Sequence, residues 1–245
     1  MPKFFAPRRS LDEGFVTFSG NDAEHLRVLR VREGEELVVC DGEGKDARCV
    51  VELASKDAFR LRILRTWPSE GEPTVSAVVY AALPKGDKSE LIVQKAVELG
   101  AAEIVFFLSS RCVARPDDKA AAARVERLGR IAEASAMQSL RGRISKVRWL
   151  PDFERMLTEA AGAALGAFLW EEARSVSLRA HLQACGGFRT AALITGPEGG
   201  FSAEEAEKAE RAGLQPVTLG PRILRCETAP LCALSALMYE TGNLG

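Results

Sequence analysis

Two short segments near the carboxyl end combine glycine, proline, carboxylate and arginine in an order suited to binding chemistry. The first is Thr195-Gly196-Pro197-Glu198-Gly199-Gly200-Phe201-Ser202. Glycines around a proline let the backbone approach a ligand closely and present its amides. The segment lacks GxGxxG spacing and no Gly-Lys-Ser/Thr follows it, so a dinucleotide fingerprint and a P-loop phosphate cradle are both disfavoured. A plain tight turn is the competing reading. The second is Leu219-Gly220-Pro221-Arg222-Ile223-Leu224-Arg225-Cys226-Glu227-Thr228-Ala229. Here two arginines, an acid and a hydroxyl precede a candidate helix start, whose positive end can polarise a bound group. Solvated surface arginines are the competing reading. The six cysteines, at 40, 49, 112, 185, 226 and 232, form no CxxC pair. Neither a zinc knuckle nor a thioredoxin motif is supported, and no metal site is expected.

Charge supplies a second signal. The chain of 245 residues has a net charge of -1, yet residues 111–148 hold ten basic residues against four acidic ones. Arg111, Arg115, Lys119, Arg124, Arg127, Arg130, Arg141, Arg143, Lys146 and Arg148 form this stripe, which could neutralise phosphates. A solvated helix face explains it equally well. Arg8 and Arg9, and then His25, Arg27, Arg30 and Arg32, form smaller groups; the arginine fork is well suited to phosphate oxygens. With 47% apolar and 27% charged residues the composition is that of a soluble globular protein and excludes a disordered chain. No run of about 18 uncharged apolar residues occurs, so no transmembrane helix is expected. Arginines follow the first few residues, which does not suit a secretory signal, and a cytoplasmic protein with reduced thiols is expected.

These segments need elements to position them. Pro and Gly punctuate Trp67-Pro68-Ser69-Glu70-Gly71-Glu72-Pro73, which reads as a linker between domains at 1–70 and 74–245. Before it, β-prone runs at 15–18, 37–40, 48–53 and 59–64 alternate with turns, and one short helix fits 22–29; a small β barrel is expected. After it, strand and helix alternate. Strands are expected at 75–83, 104–108, 146–150, 167–170, 191–195 and 216–219. Helices are expected from Asp87 to Gly100, over 118–140, 153–161 and 176–184, and after the N-caps Ser202 and Thr228. Asp87 with Glu90, and Ser202 with Glu205, have capping-box spacing. This alternation predicts an α/β domain with a mostly parallel sheet, and ligands bind beyond the carboxyl ends of such strands.

The pairing of Gly196-Pro197-Glu198-Gly199-Gly200 with Leu219 to Ala229 resembles the RsmE family, enzymes of the SPOUT superfamily that methylate a uridine at N3 in 16S ribosomal RNA. The resemblance spans nearly the whole chain. His25-Leu26-Arg27-Val28-Leu29-Arg30 is similar to the family's N-terminal signature. Lys85, Lys88, Glu90 and Gln94 to Gly100 are similar to the start of its catalytic domain, and Glu133-Ala134 with Gln138 to Arg141 to its central helix. Cys226 stands where the family usually has threonine, Met137 where glutamate is common, and Ser145 where proline is usual.

The resemblance implies a PUA-like N-terminal β barrel that holds RNA, and a C-terminal domain with a trefoil knot. It implies S-adenosylmethionine bound among three loops, the site being completed across a homodimer. The cofactor set would be Leu169, Thr195, Gly196, Pro197, Glu198, Gly199, Gly200, Leu219, Gly220, Ile223, Leu224, Thr228 and Ala229, with Leu219, Ile223 and Leu224 around the adenine. Arg225 would face the uracil, as a permanent cation rather than a base. Glu198 and Glu227 are candidate bases by proximity only, and either can instead cap a backbone amide. RNA contacts would come from Arg8, Arg9, His25, Arg30, Lys88, Arg111, Arg141 and Arg222. Two other readings share parts of this pattern: a ribose 2′-O-methyltransferase of the same superfamily, and a non-catalytic RNA-binding assembly factor.

Overall fold

The computed structural model describes residues 3–7, 11 and 14–244. It divides into two compact units, residues 1–72 with 136–144, and residues 73–135 with 145–245. Residues 136–144 thus belong with the first unit although they lie within the second in sequence.

The first unit carries β1 (Lys3–Phe5), β2 (Phe15–Ser19), α1 (Gly20–Val28), β3 (Glu36–Cys40), β4 (Lys45–Ala54) and β5 (Ala58–Pro68). The strands form one mixed sheet in the order β1-β3-β4-β5-β2. β1 runs parallel to β3, and the other pairs are antiparallel. The expected runs became strands because their apolar residues alternate. Val16 and Phe18, Leu37 and Val39, and Phe59 and Leu61 all point into one core with Leu26 of α1. β1 was not expected: three residues carry no period of their own, and only the parallel partner makes them a strand.

A polar knot holds residues 136–144 in this unit. The Glu72 carboxylate accepts from the amides of Gly142 and Arg143 at 2.8 and 3.0 Å and from Arg141 Nη2 at 2.8 Å. Lys3 Nζ donates to the Leu140 carbonyl at 3.1 Å and pairs with Asp46 at 2.9 Å. Leu140 takes a positive φ of 60° as the chain leaves the helix before it.

The second unit carries β6 (Ser76–Ala82), α2 (Lys88–Glu98), β7 (Glu103–Phe107), α3 (Asp118–Gln138, whose last turn belongs to the first unit), β8 (Lys146–Leu150), α4 (Phe153–Ala160), β9 (Leu165–Leu169), α5 (Leu178–Cys185), β10 (Thr190–Thr195), α6 (Ala203–Arg211), β11 (Gln215–Val217) and α7 (Ala229–Glu240). Its sheet is parallel throughout, in the order β11-β9-β10-β6-β7-β8. The inner strands β6, β7, β9 and β10 are mostly apolar because helices cover both faces of such a sheet, while the edge strands β8 and β11 carry polar residues. Phe107, Phe153, Phe168 and Phe201 cluster with ring centroids 4.3–6.5 Å apart.

Two capping expectations need correction. Asp87 makes no side-chain cap bond, because its backbone is not extended and its own carbonyl takes the Glu90 amide at 2.9 Å, while the Glu90 carboxylate pairs with Arg127 of α3 rather than reaching back. Thr228 has helical dihedrals and no side-chain cap bond, while Pro230 does sit in the first turn of α7. The Ser202–Glu205 capping box is present, with both bonds made.

Candidate functional site

Leu169, Thr195 and Val217 end three adjoining strands. Leu169 lies opposite Thr195 on β10 and opposite Val217 on β11. The segments that leave them, 170–177, 196–202 and 218–228, therefore emerge from the same edge of the sheet, where α/β folds bind ligands.

The middle segment is fixed at both ends. Thr195 Oγ1 donates to the Tyr80 carbonyl at 3.3 Å, and Gly200 N closes a turn onto the Pro197 carbonyl at 3.0 Å. Beyond it, the box residue Glu205 is buried, and its second oxygen accepts from the Ser110 amide at 2.8 Å. Arg111 then reaches the segment itself, its Nη1 donating to the carbonyls of Gly199 and Phe201 at 2.9 and 3.1 Å. Each glycine has a reason. A Cβ on Gly196 would stand 3.2 Å from the backbone of Gly200 and 3.3 Å from the Phe201 ring. On Gly200, at φ +65°, it would overlap a Glu171 carboxylate oxygen at 1.8 Å.

Lys88, the first residue of α2, joins this segment to the next. Its Nζ lies 2.9 Å from Glu198 Oε1, 3.4 Å from Glu227 Oε2 and 3.6 Å from Cys226 Sγ. Glu198 Oε1 also accepts from the Lys85 amide at 3.1 Å. Burial disfavours the Glu198 carboxylate, but the Lys88 ammonium and backbone amides outweigh it and hold the carboxyl at about 2. Glu227 is likewise held below its ordinary value: burial opposes this, and its own amide, the Cys226 thiol and Lys88 prevail. Burial, with the neighbouring carboxylates, pushes the Cys226 thiol up to about 12. Neither carboxylate is thereby suited to accept a proton near neutrality.

In the third segment, the Arg225 carbonyl accepts from the amides of Thr228 and Ala229 at 2.8 and 2.9 Å, which curls the chain into α7. Arg222 and Arg225 are exposed, Leu219 and Leu224 are half-buried, and Ile223 is 86% exposed. Gly220 has a φ of +105°. In the segment after β9, Trp170 Nε1 is buried without a hydrogen-bond partner.

The residues assigned to RNA divide. Arg30 of the first unit is exposed at a positive φ of 57°, and the ring of the exposed His25 packs edge-on against Phe4 at 5.5 Å. Arg222 is exposed in the second unit. Lys88 and Arg111 are instead bound to the loops just described. Arg141 is only 4% exposed and is paired with Glu72, so an RNA contact for its guanidinium is replaced by a structural one. Arg8 and Arg9 lie outside the described residues. Part of the basic stripe is engaged too: Arg115 donates to carbonyls of Ser109 and Ser110, Arg124 to that of Gly86, and Arg148 pairs with Glu103 and Glu159, while Lys119, Arg130, Arg143 and Lys146 are exposed. Trp170 and Glu171 lie in the segment after Leu169, the third loop that the resemblance implies, but carry no motif that singles them out in the sequence.

Glycine-rich backbone, the orphan indole N–H and the carboxylates of Glu171, Glu198 and Glu227 fit a cofactor with hydroxyls, a purine and a positive sulfonium. Among the described residues no group of three His, Cys, Asp or Glu could hold a metal ion, and no helix is long and apolar enough to cross a membrane.

Residues 71–238 match the RNA methyltransferase domain family, and residues 18–64 match the RNA methyltransferase PUA domain. The chain is 34% identical over 233 residues to ribosomal RNA small subunit methyltransferase E of Bacillus subtilis, covering 92% of this chain and 91% of that one. It is 36% identical over 240 residues to the protein of the same name from Mycobacterium bovis, covering 95% and 89%. Among solved structures, that of ribosomal RNA small subunit methyltransferase E from Neisseria gonorrhoeae bound to S-adenosyl methionine aligns with a TM-score of 0.84 at 32% identity, covering 97% of each chain.

Proposed function

The chain belongs to the family of ribosomal RNA small subunit methyltransferase E, and from that premise we propose that it transfers a methyl group from S-adenosylmethionine to N3 of one uridine in 16S ribosomal RNA. The observation that carries the reading is the convergence of two glycine-bearing loops at the carboxyl ends of β10 and β11, on either side of β9. Bound there, the cofactor supplies an electrophilic methyl group on its sulfonium.

The protein's own residues do the rest. The loop 195–200 and the segments 169–171 and 219–229 hold the cofactor. Arg225, exposed beside them, faces the uracil and stabilises the negative charge that develops on the ring as N3 loses its proton. With Lys88 lowering the proton affinity of Glu198 and Glu227, both are too weakly basic to serve as the base, and the N3 proton leaves to solvent. N3 lies on the Watson–Crick edge, so the uridine must be unstacked before it reacts. The first unit, a PUA-like barrel in this reading, holds the surrounding RNA through His25 and Arg30, and Arg222 holds it near the site. Arg8 and Arg9 belong to the same set by sequence. The second unit is a trefoil-knotted SPOUT domain, the active enzyme is a homodimer, and it works in the cytoplasm.

The test is transfer of tritium from labelled cofactor to small ribosomal subunits, followed by mass spectrometry of the digested RNA. A base methyl on uridine is expected. A ribose methyl would move the chain to the 2′-O-methylating branch, and absence of any label on intact particles would overturn the reading. A short single strand, lacking the assembled surface, is expected to be methylated far more slowly.

A further inference from the structure

Lys88 stands in an unfavourable place. It opens α2, where the helix dipole and the unpaired amides repel a cation. That cost is offset by what its ammonium touches: Glu198 of the first glycine loop at 2.9 Å, and Glu227 and Cys226 of the second at 3.4 and 3.6 Å. An ammonium has three donors and no fixed plane, so one atom can serve three partners that approach from different directions. Glu198 and Glu227 are 29 residues apart in sequence and lie on loops that leave different strands.

We propose that Lys88 is a positioning residue for methyl transfer, tying the cofactor loop 195–200 to the segment 219–229, which shares the cofactor and presents Arg225. This rests on the reading of the site as a methyltransferase centre. Glu198 sits between the glycines of the first loop, and Glu227 sits two residues after Arg225 in the second. Releasing Nζ therefore loosens both, and the distance between methyl donor and arginine is no longer held. Lys88 accordingly acts on cofactor and turnover, not on the grip on RNA. The pair is about one-third exposed, and ion pairs so placed add little to global stability. Loss of the tie should leave the protein folded.

The experiment compares Lys88→Met and Lys88→Arg with the wild type in three readouts: cofactor Kd by calorimetry, kcat and KM on small ribosomal subunits, and RNA affinity. Lys88→Met is expected to weaken cofactor binding and to lower kcat, each by roughly tenfold or more, because small misplacements in a reacting complex are costly. RNA affinity should stay within about twofold of wild type, and Lys88→Arg should recover only part of both losses, because it keeps the charge but presents its donors in one plane. Glu227→Gln, which cuts only the second arm, should lower kcat more than it weakens cofactor binding, and it serves equally if Lys88→Met does not fold. Unchanged kcat and cofactor Kd in Lys88→Met would overturn the tie, as would a loss confined to RNA affinity. If the wild type binds cofactor but labels no RNA, the methylation reading fails, while the calorimetry still decides the tie.

Discussion

The Arg111 side chain lies along the Gly199 backbone: Arg111 Nη1 donates to the Gly199 carbonyl at 2.9 Å, and a Cβ on Gly199 would stand 3.3 Å from the Cβ of Arg111. The stem of Arg111 thus fills the space that a larger residue at 199 would need, and its guanidinium holds the loop that results. Gly199→Val should force the two apart and weaken cofactor binding by roughly tenfold or more, the loss expected when a close approach is blocked. Arg111→Ala should weaken it through the loss of two carbonyl partners while leaving RNA affinity unchanged. Calorimetry with the cofactor checks both, and normal binding by Gly199→Val would show the pocket to lie elsewhere.

Arg225 makes its contacts through the backbone and leaves its guanidinium exposed. Arg225→Ala should keep cofactor affinity and lower kcat by about 10²–10³, the range for removal of one group that stabilises developing charge. Single-turnover rates on small ribosomal subunits measure this. An equal loss in cofactor affinity would instead make Arg225 part of the pocket.

The acid side of the pH profile follows from Glu198. Its carboxyl titrates at about 2 against an ordinary 4.5, so the Lys88 tie is complete above the ordinary value and is lost only as pH falls through the lower one. Across the neutral range Glu198 stays ionised and contributes no inflection. The rate should rise with pH as the N3 proton becomes easier to lose. An inflection between about pH 4 and 7 in kcat/KM, absent in Glu198→Gln, would assign the base to Glu198 after all.

Arg141 and Glu72 form a pair whose side chains are 4% and 15% exposed. Removing one partner of a buried pair typically costs about 3–5 kcal/mol. Arg141→Ala should therefore lower the thermal midpoint, and Arg30→Ala should lower RNA affinity with the midpoint unchanged. Thermal melts together with RNA titrations separate the two effects.

What could be read from the chain follows the range of the interactions involved. The apolar alternation of 15–18 and 59–64 and the continuous apolar runs of 104–107 and 191–195 reported strands, since burial acts on each residue where it stands. The Ser202–Glu205 box reported a helix start because both partners lie within one turn. Asp87 and Glu90 have the same spacing and form no box, since the Asp87 backbone is not extended and Arg127, 37 residues further on, claims the Glu90 carboxylate. No local pattern could reveal that competition.

The sequence by itself determined the two-part α/β plan, the glycine loops and the family they resemble, because glycine content and hydrophobic period are properties of short stretches. Only the tertiary structure decided which cations meet which carboxylates. It buried Arg141, turned Arg111 onto a backbone, and set Lys88 between Glu198 and Glu227, 110 and 139 residues away. A charge acts through space rather than along the chain, so its role is set by whichever partner the fold brings near.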